Sequence, residues 1–138
     1  MKKFMYAVAL LLGMSALLVS CNKDNSNDYT KLIVGTWEVV TYDTYQNGFL
    51  LQSEPGDGIT FTFTAEGKWF SNVLAPDIKG DYSISGNKLR VISISMKPEE
   101  STILKLTNTE MQLESTESKS VSGGSEEYRT IITYKKVK

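Results

Sequence analysis

From Thr36 onward the chain predicts an all-β domain, an antiparallel up-and-down barrel of eight to nine strands behind a short N-terminal helical turn. Three observations carry that expectation. Apolar and polar residues alternate in short runs. Turn chemistry separates those runs. The hairpin registers those turns set all place apolar side chains on the same face. A sheet with one dry face must pack on something or close on itself. No amphipathic helix is available to cover it, so closure is the economical solution.

The elements follow in order. The only helical candidate is Tyr29 to Val34, with Asp28 as N-cap. Asn47-Gly48 suits a two-residue type I′ turn, pairing Gln46 with Phe49 and Tyr45 with Leu50. Ala65-Glu66-Gly67 predicts a three-residue turn pairing Thr64 with Lys68 and Phe63 with Trp69. Gly86-Asn87 sets Ser85 against Lys88, Ile84 against Leu89 and Tyr82 against Val91, and Asn108-Thr109 sets Leu106 against Met111 and Leu104 against Leu113. One face then collects Ile59, Phe61, Phe63, Trp69, Tyr82, Ile84, Leu89, Val91, Leu104, Leu106, Met111 and Leu113. The opposite face is built of Thr, Ser, Lys, Arg, Asp, Gln and Glu. Alternation weakens at Ile92, Ile94 and Met96, where a bulge after Val91 would turn the apolar side chains inward. Residues 115–126 have no apolar period and predict a mobile loop before a last strand near Tyr128 to Val137.

The N-terminus carries a different signal. Lys2 and Lys3 precede an apolar run from Phe4 to Val19 that is short for a membrane-spanning helix, and the chain then turns polar at Asn22-Lys23-Asp24-Asn25. The single cysteine, Cys21, follows Leu18-Val19-Ser20. This arrangement resembles the lipobox of bacterial lipoproteins. The resemblance implies that residues 1–20 are a signal peptide removed before Cys21, which then carries acyl chains. At ~0.8 kcal/mol per buried methylene, two or three such chains hold a protein on a membrane. Residues 21–30 read as the lipidated cysteine and a flexible polar tether. Their Asn- and Ser-rich character is also similar to the segment that directs many Bacteroidota lipoproteins to the outer leaflet. The expected location is therefore the outer membrane, lipid-anchored, with periplasmic and cell-surface orientations both open.

Composition narrows the chemistry. Cleavage before Cys21 leaves 118 residues and removes Lys2 and Lys3, so 13 basic residues face 16 acidic ones, a net charge of −3. That length predicts one domain, residues 31–138. Nucleic acid is not an expected partner, because the only basic cluster is Lys135, Lys136 and Lys138 at the C-terminus. The chain has no histidine, which removes the commonest general base and metal ligand. An acylated Cys21 leaves no free thiol. Asp24, Ser26 and Asp28 imitate the start of a calcium loop, but Tyr29 replaces the turn glycine and Gly35 the bidentate glutamate. Glu99 and Glu100 are adjacent and point apart in an extended chain. Glu38, Glu54, Asp57, Asp77 and Asp81 fall near turns or on the polar face. No catalytic residue, cofactor or metal is expected, and the chain does not read as an enzyme.

The turn into Gly35-Thr36-Trp37 at the head of the first strand resembles the lipocalin family. The closer resemblance is to small lipocalin-like bacterial lipoproteins. It rests on Gly35 to Trp37, the Thr-Phe-Thr-x-x-Gly hairpin Thr62 to Gly67, the Gly-x-Tyr-x-Ile-Ser-Gly-Asn-x-Leu hairpin Gly80 to Leu89, and the ending Tyr134 to Val137. The resemblance implies a lipocalin-like barrel with Trp37 packed across its closed end beneath a late arginine, Arg129.

Two functions remain open at this level, because an eight-stranded barrel is near the size at which side chains fill the interior or leave room for one small ligand. In the first, the barrel binds or shuttles a small apolar or amphipathic molecule, with Phe61, Phe63, Trp69, Tyr82, Leu104 and Met111 as candidate ligand contacts. In the second, a solid-cored barrel is an interaction module for an envelope protein partner. A contiguous patch of Phe70, Ile92 or Ile94 would favour the second.

Overall fold

The tight turns set the strand pairing. The computed structural model describes residues 29–73 and 78–138. At the first turn Asn47 (φ 48°) and Gly48 (φ 85°) both take positive φ, as a type I′ turn demands, and Gln46 pairs with Phe49 and Tyr45 with Leu50 as expected. Phe63 pairs with Trp69 across the second turn, and Ile84 with Leu89 and Tyr82 with Val91 across the third.

Among the described residues nine strands result: β1 (Gly35–Gln46), β2 (Phe49–Pro55), β3 (Thr60–Phe63), β4 (Lys68–Ser71), β5 (Ile78–Ser85), β6 (Lys88–Ser93), β7 (Glu99–Leu106), β8 (Glu110–Val121) and β9 (Gly124–Lys136). All neighbours are antiparallel, and β1 pairs with β9 as well as with β3, which closes an eight-stranded barrel. The additional strand, β2, shares one edge of β1 with β3: residues 35–38 of β1 face β3, and residues 41–46 face β2.

At one end a helical turn over 29–32 covers the barrel, held by Ile33 N–H donating to Tyr29 O at 3.1 Å. Trp37 lies beneath it, fully buried, its Nε1–H donating to Ile33 O at 2.8 Å. Arg129 does not cover it. Trp37 pairs with Lys136, whose Nζ stands 5.2 Å from the indole centroid, whereas Arg129 pairs with Tyr45, stands 5.6 Å over that ring and donates from Nε to Glu114 at 2.5 Å. Seven residues of extended chain, about 24 Å, separate the two positions.

The predicted inward face holds with one exception. Phe63, Trp69, Leu89, Leu106, Met111 and Leu113 are buried, and Ile59, Phe61, Tyr82, Ile84 and Val91 pack against them. The exception is Leu104. Ile103 pairs with Leu113 and Lys105 with Gln112, so Leu104 is the extra residue of a bulge and 42% exposed, while Ile103 is 3% exposed. Ile103 and Leu106 have opposite parity in an unbroken strand, and one unpaired residue between them lets both face the core. The bulge proposed after Val91 is absent. Asp81 pairs with Ile92 in regular register, Ile92 and Ile94 stay exposed, and Met96, itself 44% exposed, lines the cavity without a bulge.

Residues 115–126 are not a loop. They form most of a hairpin in which Glu110 to Val121 pair with Lys135 to Gly124 around the turn at 122–123. Past Glu114, strand β8 pairs with β9 alone among the described residues, and the segment extends a four-stranded sheet, β2-β1-β9-β8, beyond the barrel. Both faces of that extension meet water, so its sequence has no apolar period to read. The segment before Tyr29, with the apolar leader, Cys21, the tether and the Asp28 cap, lies outside the described residues, as does Asp77.

Candidate functional site

The barrel encloses a cavity of about 240 Å³. Its lower wall comes from inward positions that alternate along each strand: Phe61 and Phe63 on β3, Trp69 on β4, Leu89 and Val91 on β6, Leu113 on β8, and Ile132 and Tyr134 on β9. The aromatic members contact one another. Phe61 lies 6.3 Å from Trp69 and 5.9 Å from Tyr134, the latter edge to face at 80°. Trp69 is oriented by a hydrogen bond from Nε1–H to Ile92 O at 3.2 Å. The residue paired with Trp69 is Gly80, and a β-carbon there would lie 1.7 Å from Ile92 O. Glycine therefore lets the β5 and β6 backbones approach beneath the indole.

The upper part of the cavity is polar. Ser71, Ser93, Ser101 and Ser115 line it, with Lys97 and Glu99. Ser71 Oγ donates to Thr60 O at 2.8 Å, and the hydroxyls of Ser101 and Ser115 meet at 3.3 Å. Ser93 Oγ is buried and makes no hydrogen bond among the described residues. Burial raises the Tyr134 phenol far above its ordinary value, with the nearby Tyr42 and Glu99 adding to the effect; burial also raises Tyr42. Both phenols are neutral at physiological pH. The cavity thus presents an apolar floor below a band of uncharged hydroxyl groups, with one lysine and one glutamate among its lining.

Of the ligand contacts expected from sequence, Phe61, Phe63 and Trp69 line the cavity. Tyr82 and Met111 lie in the surrounding core. The Tyr82 ring meets Phe63 edge to face at 5.1 Å and its hydroxyl donates to Thr64 O at 2.6 Å, while Met111 is fully buried. Leu104 points away from the interior, for the reason given above. Sequence reasoning did not find Tyr42, Ile132, Tyr134 or the four serines. The alternation Thr130, Ile132, Tyr134 is a legible signal on β9. The serines carry none, because an inward serine looks like a break in an apolar face.

Among the described residues no group of three or more His, Cys, Asp or Glu side chains is placed to hold a metal ion.

The family model described as a lipocalin-like domain matches residues 33–113. The match runs from the buried Ile33 to the cavity-lining Leu113 and leaves out β9, which closes the barrel. No curated protein and no solved structure matches the chain.

Proposed function

The chain belongs to the lipocalin-like domain family, and from that premise we propose that it binds or shuttles one small apolar or amphipathic molecule while anchored to the outer membrane through acyl chains on Cys21. The observation that carries the binding half is the cavity of about 240 Å³, with aromatic and aliphatic walls. A dry apolar cavity of ~150 Å³ accepts benzene, so this one has room for a ring with a substituent or a short alkyl chain. The anchoring half is supported by the leader and Cys21 in the sequence.

Native mass spectrometry of residues 22–138, isolated gently from the producing cell, tests the binding half. An extra mass lost on denaturation is the expected result. An apo mass that stays unchanged after incubation with fatty acids, alcohols and alkyl glycosides would overturn it. Metabolic labelling with an alkyne fatty acid tests the anchor: label on the wild type and none on Cys21→Ser is expected.

A second reading has its own observation. Phe70, Ile92 and Ile94 border one outer groove together with Lys68, Lys79 and Asp81, and this patch supports an interaction surface for an envelope partner. The cavity removes the solid core that this reading began from. Concentration-dependent self-association, or crosslinking from position 94 to another envelope protein, would favour it.

A further inference from the structure

The cavity is smaller than the roughly 300–1,000 Å³ of pockets that enclose a drug-sized ligand, so an amphiphile seated in it extends past the rim. One wall continues past that rim. Tyr42, Ile132 and Leu113 form a rung of β1, β9 and β8 inside the barrel. The next inward rung is Thr44, Thr130 and Ser115, and the one after is Gln46, Tyr128 and Glu117. The inner face of the projecting sheet therefore changes from apolar to hydroxyl to amide and phenol within three rungs, in the direction that leads out of the cavity.

We propose that this face is a head-group site: the apolar end of the ligand occupies the cavity, and an uncharged head bearing hydroxyl or amide groups lies along Thr44, Thr130, Gln46 and Tyr128. The inference rests on the binding function proposed above and adds the class of head group. The hydroxyl and amide groups of Thr44, Thr130, Gln46 and Tyr128 can each donate and accept, which suits a head that both gives and takes hydrogen bonds. Its charges are arranged against an anion. Tyr128 OH donates to Glu126 at 2.9 Å and accepts from Gln46 Nε2 at 3.3 Å, and Lys119 Nζ sits 5.0 Å from the Tyr128 ring centroid. Glu126 and Lys119 thus offset one another at Tyr128. Among the described residues Glu117 has no ion-pair partner, which leaves this face net negative.

The test is isothermal titration of the wild-type domain with three octyl amphiphiles that share a tail: octyl glucoside, octyltrimethylammonium and octanoate, each below its micellar concentration. The glucoside binds tightest and octanoate about tenfold or more weaker. Gln46→Ala combined with Tyr128→Phe weakens the glucoside several-fold with an unchanged circular dichroism spectrum, and Glu117→Lys improves octanoate. Octanoate binding as tightly as the glucoside overturns the head-group site. So does a glucoside affinity unmoved by Gln46→Ala with Tyr128→Phe but abolished by the cavity-filling Val91→Phe, a result that leaves the cavity reading standing. Failure of all three probes on the wild type overturns both.

Discussion

Lys136 caps Trp37. Its ammonium stands 5.2 Å from the indole centroid and donates to Leu32 O at 3.2 Å, so one cation ties the last strand to the first strand and to the helical turn over the closed end. Trp37 is fully buried and hydrogen-bonded to Ile33 O on its other side. Trp37→Ala is expected to cost about 3–5 kcal/mol, and Lys136→Ala about 1–2 kcal/mol, in part restored by Lys136→Arg. Arg129→Ala should cost less than about 1 kcal/mol, because its ion pair with Glu114 is partly solvated. Urea unfolding of the four variants gives the order.

Gly80 has no room for a side chain. Gly80→Ala places a methyl group against Ile92 O and forces β5 and β6 apart beneath Trp69. A loss of about 3 kcal/mol is expected, together with a changed tryptophan emission spectrum as the indole leaves its carbonyl partner. Full stability in this variant would refute the close approach.

Ser93 buries a hydroxyl that has no partner among the described residues. Ser93→Ala removes that unsatisfied group and should stabilise the unliganded domain by about 1 kcal/mol. If the ligand pairs with this hydroxyl, the same variant binds it more weakly. Thermal unfolding with and without ligand separates the two effects.

Tyr134 makes stability depend on alkaline pH. Its folded pKa is raised above the ordinary 10.0, so the neutral form is favoured by folding. That contribution is fully present below pH 10, and it is lost as pH rises from the unfolded value through the folded one. At pH 11 the unfolded state gains about 1.4 kcal/mol from this group relative to pH 8. Tyr134→Phe removes only the hydroxyl and keeps the ring that packs edge to face on Phe61, so it should fold normally and lose about 1.4 kcal/mol less between pH 8 and 11. An equal loss in both proteins would show the phenol to be solvated.

How far the sequence could be read follows from which side of each strand meets water. Phe61, Phe63, Trp69, Leu89 and Met111 were legible because each alternates with a polar neighbour and sits beside a turn that sets its register. The hairpin from Ser115 to Tyr128 was not, because both of its faces are solvated and neither needs apolar residues. Leu104 lies one residue from the core position because the bulge lets Ile103 pair with Leu113 and Leu106 with Met111, a choice between Ile103 and Leu104 that no local pattern makes.

The amino-acid sequence by itself determined the all-β class, the main turns and most of the core, since turn conformation and two-residue periodicity are local properties. Only the tertiary structure decided that Lys136 rather than Arg129 covers Trp37, that β1 meets β9 to close the barrel, and that Tyr42, Tyr134 and four serines converge on one cavity. Those relationships join residues from strands far apart in the chain. They depend on how the barrel closes and where its bulges fall, which no local pattern encodes.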